Sequence, residues 1–285
     1  MSENKNNPAK AENIIGVFDS GLGGLTVFKY FLNELPDYNY IYLGDNARLP
    51  YGAKSQKTIY TYTREAVDFL FKAGCNLIII ACNTASAQAL HRLQEEYLPK
   101  NYPDRRILGV IRPLAEAIAN NKKYQRIGVL GTKATVNSQA YEIELKKINP
   151  NLEVIQQSAP LLVPLIEEGW LKRPETKMIL KKYLHPLKTK QIDALILGCT
   201  HYPFLYKETV KIMGNKISVP HPGEIIADSL KKYLERHGEL GLTPVTKPTR
   251  KYYTTDNPEL FKLLAEKFLE KKIDKLEQAD IAETL

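Results

Sequence analysis

Short apolar runs alternate with amphipathic helical patterns along the chain, and no other feature restricts the possible folds as much. The predicted strands are residues 13–18, 38–43, 77–81, 106–111, 126–131, 152–157, 193–198, 216–220 and 251–255. The predicted helices lie between them, at residues 25–35, 55–73, 85–97, 115–120, 138–148, 159–169, 174–187, 203–213, 223–237 and 258–269. Near-continuous apolar strands alternating with helices are typical of parallel sheets whose two faces are both covered. The sequence therefore predicts an α/β fold, and its 285 residues suffice for two such units.

Composition argues against several classes of protein. The three cysteines include no C-x-x-C pair, so neither a disulfide framework nor a structural metal site is expected. No apolar run approaches the roughly 18 residues of a membrane span, and the polar segment 1–13 lacks the apolar core of a secretory signal. The net charge of +8 comes from lysines spread over predicted helix faces rather than from one patch. We therefore expect a cytoplasmic protein that binds neither nucleic acid nor membrane.

Polar side chains stand where several predicted strands end. Ligands of open α/β sheets bind at the carboxyl ends of strands, so these residues form the candidate site. They carry short hydroxyl, amide, thiol, carboxyl or imidazole groups and are Asp19, Ser20, Cys82, Asn83, Thr84, Thr132, Thr135, Cys199, Thr200 and His201. Groups of this kind suit a small polar ligand. The glycine-rich segment 21–24 is not G-x-G-x-x-G and no G-K-[ST] follows it, which argues against nucleotide binding.

Two cysteines, Cys82 and Cys199, follow apolar strands in matching frames, 117 positions apart. A single cysteine in such a place is more often a small buried hydrophobe than a reagent, but two in matching frames favour a catalytic role. We expect Asn83 or Thr84 to cap a helix that follows the first thiol, and Pro203 suits the first turn of a helix after the second. These helix N-termini are expected to lower the pKa of both thiols.

Two equivalent thiols that face one cleft suit a reaction in which a proton leaves one face of a carbon and arrives at the other. Such a reaction inverts a carbon acid, and it requires one thiolate and one thiol at a time. Each sulfur then needs a polar neighbour to manage its proton, and Asp19 and His201 are the candidates. Cys75 precedes its predicted strand and is expected to be structural. The residues by themselves do not identify the substrate.

The sequence resembles the glutamate racemases, which are cofactor-independent members of the aspartate/glutamate racemase superfamily. The resemblance covers about residues 12–270 and is specific because several motifs occur in the family's order. These motifs are VFDSGLGGLTV (17–27), YLGDNARLPYGAKS (42–55), ACNTASA (81–87), GVIRP (109–113), GVLGTKATVNSQAY (128–141), PLLVPLIEEG (160–169), LILGCTHYP (195–203) and YYTTDNPELFKLLAEKFL (252–269).

The resemblance implies two pseudo-symmetric domains, each a mostly parallel sheet flanked by helices, with the active site in the cleft between them. The first domain is expected to comprise residues 12–108 plus 222–285, and the second residues 109–221. The implied reaction interconverts L-glutamate and D-glutamate and supplies D-glutamate for peptidoglycan synthesis. The resemblance further implies an enzyme that needs no cofactor and no metal, and we expect a homodimer.

Roles for individual residues follow from the matching motifs. Cys82 and Cys199 would be the two catalytic bases, the first acting on the D-enantiomer and the second on the L-enantiomer. Asp19 and His201 would assist them, and Glu167 would be a further acidic residue near the second thiol. The positions that would hold the carboxylates and ammonium of the substrate are Ser20, Tyr51, Gly52, Asn83, Thr84 and Thr200.

Some positions depart from the family's pattern, and two other functions stay open. Ala159 stands where the family often has cysteine, HPG (221–223) stands where it often has Asp-Ser-Gly, and about a dozen polar residues precede the first strand. The alternatives are an aspartate racemase of the same superfamily and a two-lobed protein that binds an amino acid without converting it. The segments CNTAS and GCTH favour glutamate, and a binding protein has no need of a thiol on each side.

Overall fold

The computed structural model describes residues 13–282, and the polar residues 1–12 that precede the first strand lie outside this range. The strands within it are β1 (Ile14–Asp19), β2 (Asn39–Gly44), β3 (Cys75–Ile80), β4 (Arg106–Gly109), β5 (Arg126–Gly131), β6 (Glu153–Ser158), β7 (Ala194–Gly198), β8 (Arg250–Thr254) and β9 (Leu276–Gln278). They form two sheets, and each pair of neighbouring strands runs parallel. The predicted α/β fold is confirmed.

The first sheet has the strand order β4-β3-β1-β2-β8-β9, and the second has the order β6-β5-β7. The chain completes β1 to β4, leaves the first sheet to build the second, and then returns to add β8 and β9 at the edge of the first. Both β1 and β3 are buried along their whole length, because helices cover both faces of a parallel sheet. Their near-continuous apolar sequences are the consequence.

The α-helices connect the strands and cover the sheets. They are α1 (Leu25–Glu34), α2 (Gln56–Lys72), α3 (Asn83–Gln88), α4 (Leu90–Arg92), α5 (Leu98–Asn101), α6 (Ile111–Ala119), α7 (Lys133–Asn137), α8 (Ala140–Ile148), α9 (Leu162–Glu167), α10 (Pro174–Thr189), α11 (Tyr206–Met213), α12 (Pro222–Arg236) and α13 (Pro258–Leu269). None of the helices in residues 13–282 is at once long and apolar enough to span a membrane.

One apolar core is continuous between the two sheets. Leu114 and Ile118 of α6 belong to the same buried cluster as Val17 of β1 and Val129 of β5. Full burial of a side chain of this size contributes roughly 1.5–3 kcal/mol. Helix α12 packs along α1, which brings the chain back to the first sheet. The core therefore holds the carboxyl ends of both sets of strands toward a common cleft.

Several predicted element boundaries need correction. The helix predicted over residues 85–97 is interrupted, because a π-helical turn at Leu93–Tyr97 follows the short α3 and α4. The strand predicted over residues 216–220 is wrong, since only Ser218 forms a bridge, with Ala194. Pro220 has no N–H group with which to extend that pairing. The polar edge strand β9 was not predicted, because its mostly exposed residues give no apolar run.

Candidate active site

A cavity lies between the carboxyl ends of the two sheets, and both predicted catalytic thiols line it. Asp19 is the last residue of β1, Cys82 comes shortly after β3, and Cys199 directly follows β7. The cavity has a volume of about 90 Å³, several times the roughly 10–15 Å³ that one water molecule requires. It therefore has room for a small ligand.

The structure brings most of the predicted site residues to this cavity. Those that line it are Ser20, Tyr51, Gly52, Cys82, Asn83, Thr84, Cys199, Thr200 and His201. Asp19 and Glu167 do not line it but lie behind it, where they are hydrogen-bonded to Thr200 and His201. Within residues 13–282, no group of three or more His, Cys, Asp or Glu side chains is arranged to hold a metal ion.

Cys82 is itself the N-cap of α3, the role that we predicted for Asn83 or Thr84. Its Sγ accepts a hydrogen bond from the Ala85 N–H at 3.5 Å, and its thiol donates to Ser20 Oγ at 3.5 Å. The predicted lowering of its pKa is wrong, because burial above all raises the pKa of the Cys82 thiol to about 12. Desolvation of the charged form outweighs the helix N-terminus at so enclosed a sulfur. Cys82 is therefore a neutral thiol at pH 7.

Asp19 is a fully buried carboxyl group whose charge also acts on the Cys82 thiol. Its Oδ1 accepts a hydrogen bond from Thr200 Oγ1 at 3.1 Å, and its Oδ2 accepts one from the Gly21 N–H at 3.0 Å. Burial raises the pKa of Asp19 to about 6, although the positive charge of His201 and the hydrogen bonds oppose that rise. A carboxyl group with this pKa can exchange a proton near neutral pH, as a general acid or base must.

Cys199 has a different set of partners from Cys82. Its Sγ lies 3.9 Å from His201 Nδ1, and His201 Nε2 is hydrogen-bonded to Glu167 Oε1. Burial acts to lower the pKa of His201, but hydrogen bonds and charge interactions with Cys199 and Glu167 outweigh burial and raise the pKa to about 10. The imidazole is therefore positively charged at neutral pH. A positive charge beside a sulfur stabilises the thiolate.

The segment after Cys199 differs from the prediction of an α-helix start. A 3₁₀ helix, Tyr202–Leu205, follows the cysteine, and the next α-helix begins only at Tyr206. The group beside this sulfur is consequently His201 rather than the N-terminus of an α-helix. Cys75 also differs from its predicted position, since it is the first residue of β3 rather than a residue before it. It is fully buried away from the cavity, which agrees with a structural role.

Two glycines let the halves of the molecule approach closely at the cavity. A Cβ atom on Gly23 would lie 2.5 Å from His201 Nδ1 and 2.5 Å from Thr200 Oγ1. A Cβ atom on Gly52 would lie 2.6 Å from Thr132 Cβ. All three distances are far inside van der Waals contact, so any larger side chain would push the walls of the cleft apart. The glycine-rich segment at 21–24 thus serves close packing of the first half against the second.

The structure joins Thr132 and Thr135, two of the predicted strand-end residues, to the site and adds Lys133 and Tyr141, which we did not assign to it. Thr84 Oγ1 lies 2.9 Å from Thr132 Oγ1 and 3.3 Å from Thr135 Oγ1, and the last two are 3.0 Å apart. This triangle of buried hydroxyls joins α3 to the start of α7 across the cleft. Lys133 lines the cavity, and Tyr141 is hydrogen-bonded to a cavity residue. The two added residues, Lys133 and Tyr141, both lie in the motif GVLGTKATVNSQAY.

Comparison with known proteins agrees with this architecture. A family model described as Asp/Glu/hydantoin racemase matches residues 27–229, which is more than half of the chain. The chain belongs to the Asp/Glu/hydantoin racemase family. Among members of this family, the glutamate racemase of Chlorobaculum parvum is 42% identical over 255 residues, which cover 90% of this chain and 92% of that protein.

Solved structures in the racemase family share the fold over nearly the whole chain. A glutamate racemase isoform from Bacillus anthracis superposes with a TM-score of 0.88 at 34% identity and covers 95% of this chain and 98% of its own. A glutamate racemase from Francisella tularensis, determined in complex with D-glutamate, has a TM-score of 0.84 at 36% identity, with 94% and 97% covered. The predicted arrangement of sheets flanked by helices is therefore that of the family.

Proposed function

We propose that the protein interconverts L-glutamate and D-glutamate by moving the Cα proton between Cys82 and Cys199. The observation that carries this proposal is that both thiols line one small cavity, with His201 Nδ1 3.9 Å from Cys199 and the charge of the buried Asp19 acting on Cys82. Family membership supports it, because relatives that are 42% and 38% identical over at least 90% of the chain are glutamate racemases. The Francisella tularensis structure with D-glutamate has the same fold.

The protonation states of the two thiols set the direction of the reaction. Cys82 is a thiol because burial raises its pKa to about 12, and His201 lies beside Cys199. Conversion of L-glutamate to D-glutamate requires this thiol at Cys82 together with a thiolate at Cys199. The reverse reaction requires the opposite pair, thiolate at Cys82 and thiol at Cys199.

The chemical step from L- to D-glutamate uses one base and one acid on opposite faces of the substrate. The Cys199 thiolate forms an S–H bond as the Cα–H bond breaks, and the electron pair of that bond moves toward the α-carboxylate. Cys82 then gives its S–H proton to the opposite face of Cα and becomes the thiolate. Asp19 and His201 exchange protons with the thiols and so restore the starting state.

The barrier to this step is the weak acidity of the Cα–H bond. Negative charge builds on the α-carboxylate as the proton leaves, so hydrogen-bond donors placed there stabilise the transition state more than the ground state. We assign the binding of the two carboxylates and the ammonium to cavity residues that present amide, hydroxyl or backbone groups. These residues are Ser20, Tyr51, Gly52, Asn83, Thr84 and Thr200.

The wider role and the assembly of the protein belong to the same proposal. D-glutamate made by this reaction would serve peptidoglycan synthesis in the cytoplasm, and the protein would act as a homodimer. We place the first domain at residues 12–108 plus 222–285 and the second at 109–221. The return of the chain through α12 to the first sheet supports this division. Light scattering on the purified protein tests the dimer directly.

Racemisation itself is tested by following the optical rotation of L-glutamate and, separately, of L-aspartate. We expect glutamate to be converted to the racemate with a kcat/KM roughly ten-fold or more above that of aspartate, because one methylene is worth about 10–200-fold in a fitted pocket. Faster conversion of aspartate would reassign the substrate. Binding of glutamate by calorimetry with no conversion would show a binding protein instead of an enzyme.

A further inference from the structure

Tyr141 is a fully buried tyrosine of α8 whose hydroxyl reaches across the cleft. It donates a hydrogen bond to Asn83 Oδ1 at 2.5 Å. Asn83 is the first residue of α3 and directly follows Cys82. Because α8 follows a strand of the second sheet and α3 follows a strand of the first, this one bond ties the surroundings of the first thiol to the opposite half of the molecule.

The bond fixes which end of the Asn83 side chain faces the cavity. A carboxamide carries an acceptor oxygen at one end and an NH₂ donor at the other. Burial raises the pKa of Tyr141 far above its ordinary value of 10, so its hydroxyl keeps the proton and acts as the donor. Oδ1 is thereby held against Tyr141, and Nδ2 has no protein acceptor within residues 13–282 although Asn83 lines the cavity.

The ring of Tyr141 packs against β7, the strand that leads to Cys199. A Cβ atom on Gly198 would lie 2.9 Å from Tyr141 Cε2, so the ring packs directly against the backbone of the residue that precedes Cys199. Tyr141 thus contacts the residue before one thiol and the residue after the other. A side chain held on both sides in this way cannot turn its hydroxyl away from Asn83 without disturbing β7.

We propose that Tyr141 is a positioning residue for the racemisation, which locks the Asn83 amide with its NH₂ group toward the α-carboxylate of the substrate. The inference rests on the proposed function, in which Asn83 is one of the residues that bind the substrate, and it assigns the α-carboxylate to Asn83. Without the hydroxyl, the amide is free to rotate by half a turn and to present its oxygen to the negatively charged substrate. Tyr141 acts only through Asn83 and does not touch the reacting atoms.

A double-mutant cycle on racemisation tests this role. Tyr141→Phe removes only the hydroxyl, and we expect kcat/KM for glutamate to fall roughly ten- to a hundred-fold, the range that follows from leaving a buried polar group unpaired. Asn83→Ala should cost at least as much. In the double variant Tyr141→Phe/Asn83→Ala the loss should equal that of Asn83→Ala alone, because a residue that acts through Asn83 has nothing left to position.

A matched control separates positioning from general destabilisation. Tyr40 is also a buried tyrosine, and its hydroxyl donates to the Leu35 carbonyl oxygen at 3.1 Å, away from the cavity. Tyr40→Phe should lower the thermal midpoint as Tyr141→Phe does but leave kcat/KM within about twofold of the unmodified protein.

The inference is overturned if Tyr141→Phe retains full activity, or if its loss multiplies with that of Asn83→Ala in the double variant. An Asn83→Ala variant with unchanged kcat/KM would remove the carboxylate assignment of Asn83 and the role of Tyr141 with it. Failure of the proposed function looks different, since the unmodified protein would then not racemise glutamate at all.

Discussion

Replacement of Asp19 by asparagine should change the pH dependence of the protein's stability while it removes activity. The carboxyl group is fully buried, and its pKa is held near 6 instead of the ordinary 3.8. A difference of one in pKa corresponds to about 1.4 kcal/mol, so ionising this group costs about 3 kcal/mol more in the folded than in the unfolded state. Asparagine keeps the shape of the side chain and carries no ionisation cost. Its NH₂ group replaces one of two oxygens that accept hydrogen bonds from Thr200 Oγ1 and the Gly21 N–H, and the cost of that change does not vary with pH.

The sign of the pH dependence follows from linkage. A raised folded-state pKa contributes stability that is fully present below pH 3.8 and is lost as the pH rises through about 6. The free energy of unfolding of Asp19→Asn minus that of the unmodified protein should therefore increase with pH and level off above pH 7. Roughly 2.5 of the about 3 kcal/mol should appear between pH 4 and pH 8.

Urea unfolding of both proteins at several pH values between 4 and 8 measures this difference. Asp193→Asn is the control, because hydrogen bonds from the backbone N–H groups of Arg126 and Gln125 lower the pKa of Asp193 below 3.8. The ionised carboxylate of Asp193 stabilises the fold, and this contribution is lost only as the pH falls below 3.8. The free energy of unfolding of Asp193→Asn minus that of the unmodified protein should therefore stay flat from pH 5 to 8. A flat or falling difference for Asp19→Asn would refute the raised pKa of Asp19 and its use as an acid–base group.

Three further variants test the roles of the catalytic groups. Cys82→Ser and Cys199→Ser should each lower racemisation by roughly a thousand-fold or more with the thermal midpoint nearly unchanged, because a hydroxyl is a far weaker acid than a thiol; near-normal turnover by either would remove that thiol from the mechanism. Glu167→Gln should lower the pKa of His201, since Glu167 helps to raise it to about 10. The activity that depends on a protonated imidazole should then be lost at a lower pH in the pH–rate profile, and an unmoved profile would show that Glu167 does not act through His201.

The sequence predicts those helices and strands whose structure follows from their own pattern of apolar and polar residues. Leu25, Phe28 and Phe31 recur at helical spacing, and α1 buries all three. The central strands were predicted equally well from the sequence, because burial on both faces of the sheet requires apolar residues at each position. The exposed strand β9 was missed for the converse reason, since an edge strand that faces solvent needs no apolar pattern.

The candidate site shows a similar division. The thiols, Asp19 and His201 are polar residues at strand ends, and the sequence places them there directly. The pKa of Cys82 was predicted in the wrong direction, because the number of neighbouring groups that exclude water is a tertiary quantity that spacing does not reveal. Tyr141 was missed because its contact with Asn83 joins positions 58 apart in the chain.

Racemisation in D₂O tests the central claim most directly, namely that two sulfurs act on opposite faces of one carbon. L-glutamate and D-glutamate, each with ordinary hydrogen at Cα, are incubated separately with the protein in D₂O. During the first few per cent of conversion the enantiomers are separated, and the deuterium content of each is measured by mass spectrometry. Two bases predict that the newly formed enantiomer carries one deuterium at Cα while the remaining starting enantiomer keeps its hydrogen, in both directions. New product that retains the original hydrogen at Cα would mean that a single base removes and returns the proton, and it would contradict the account.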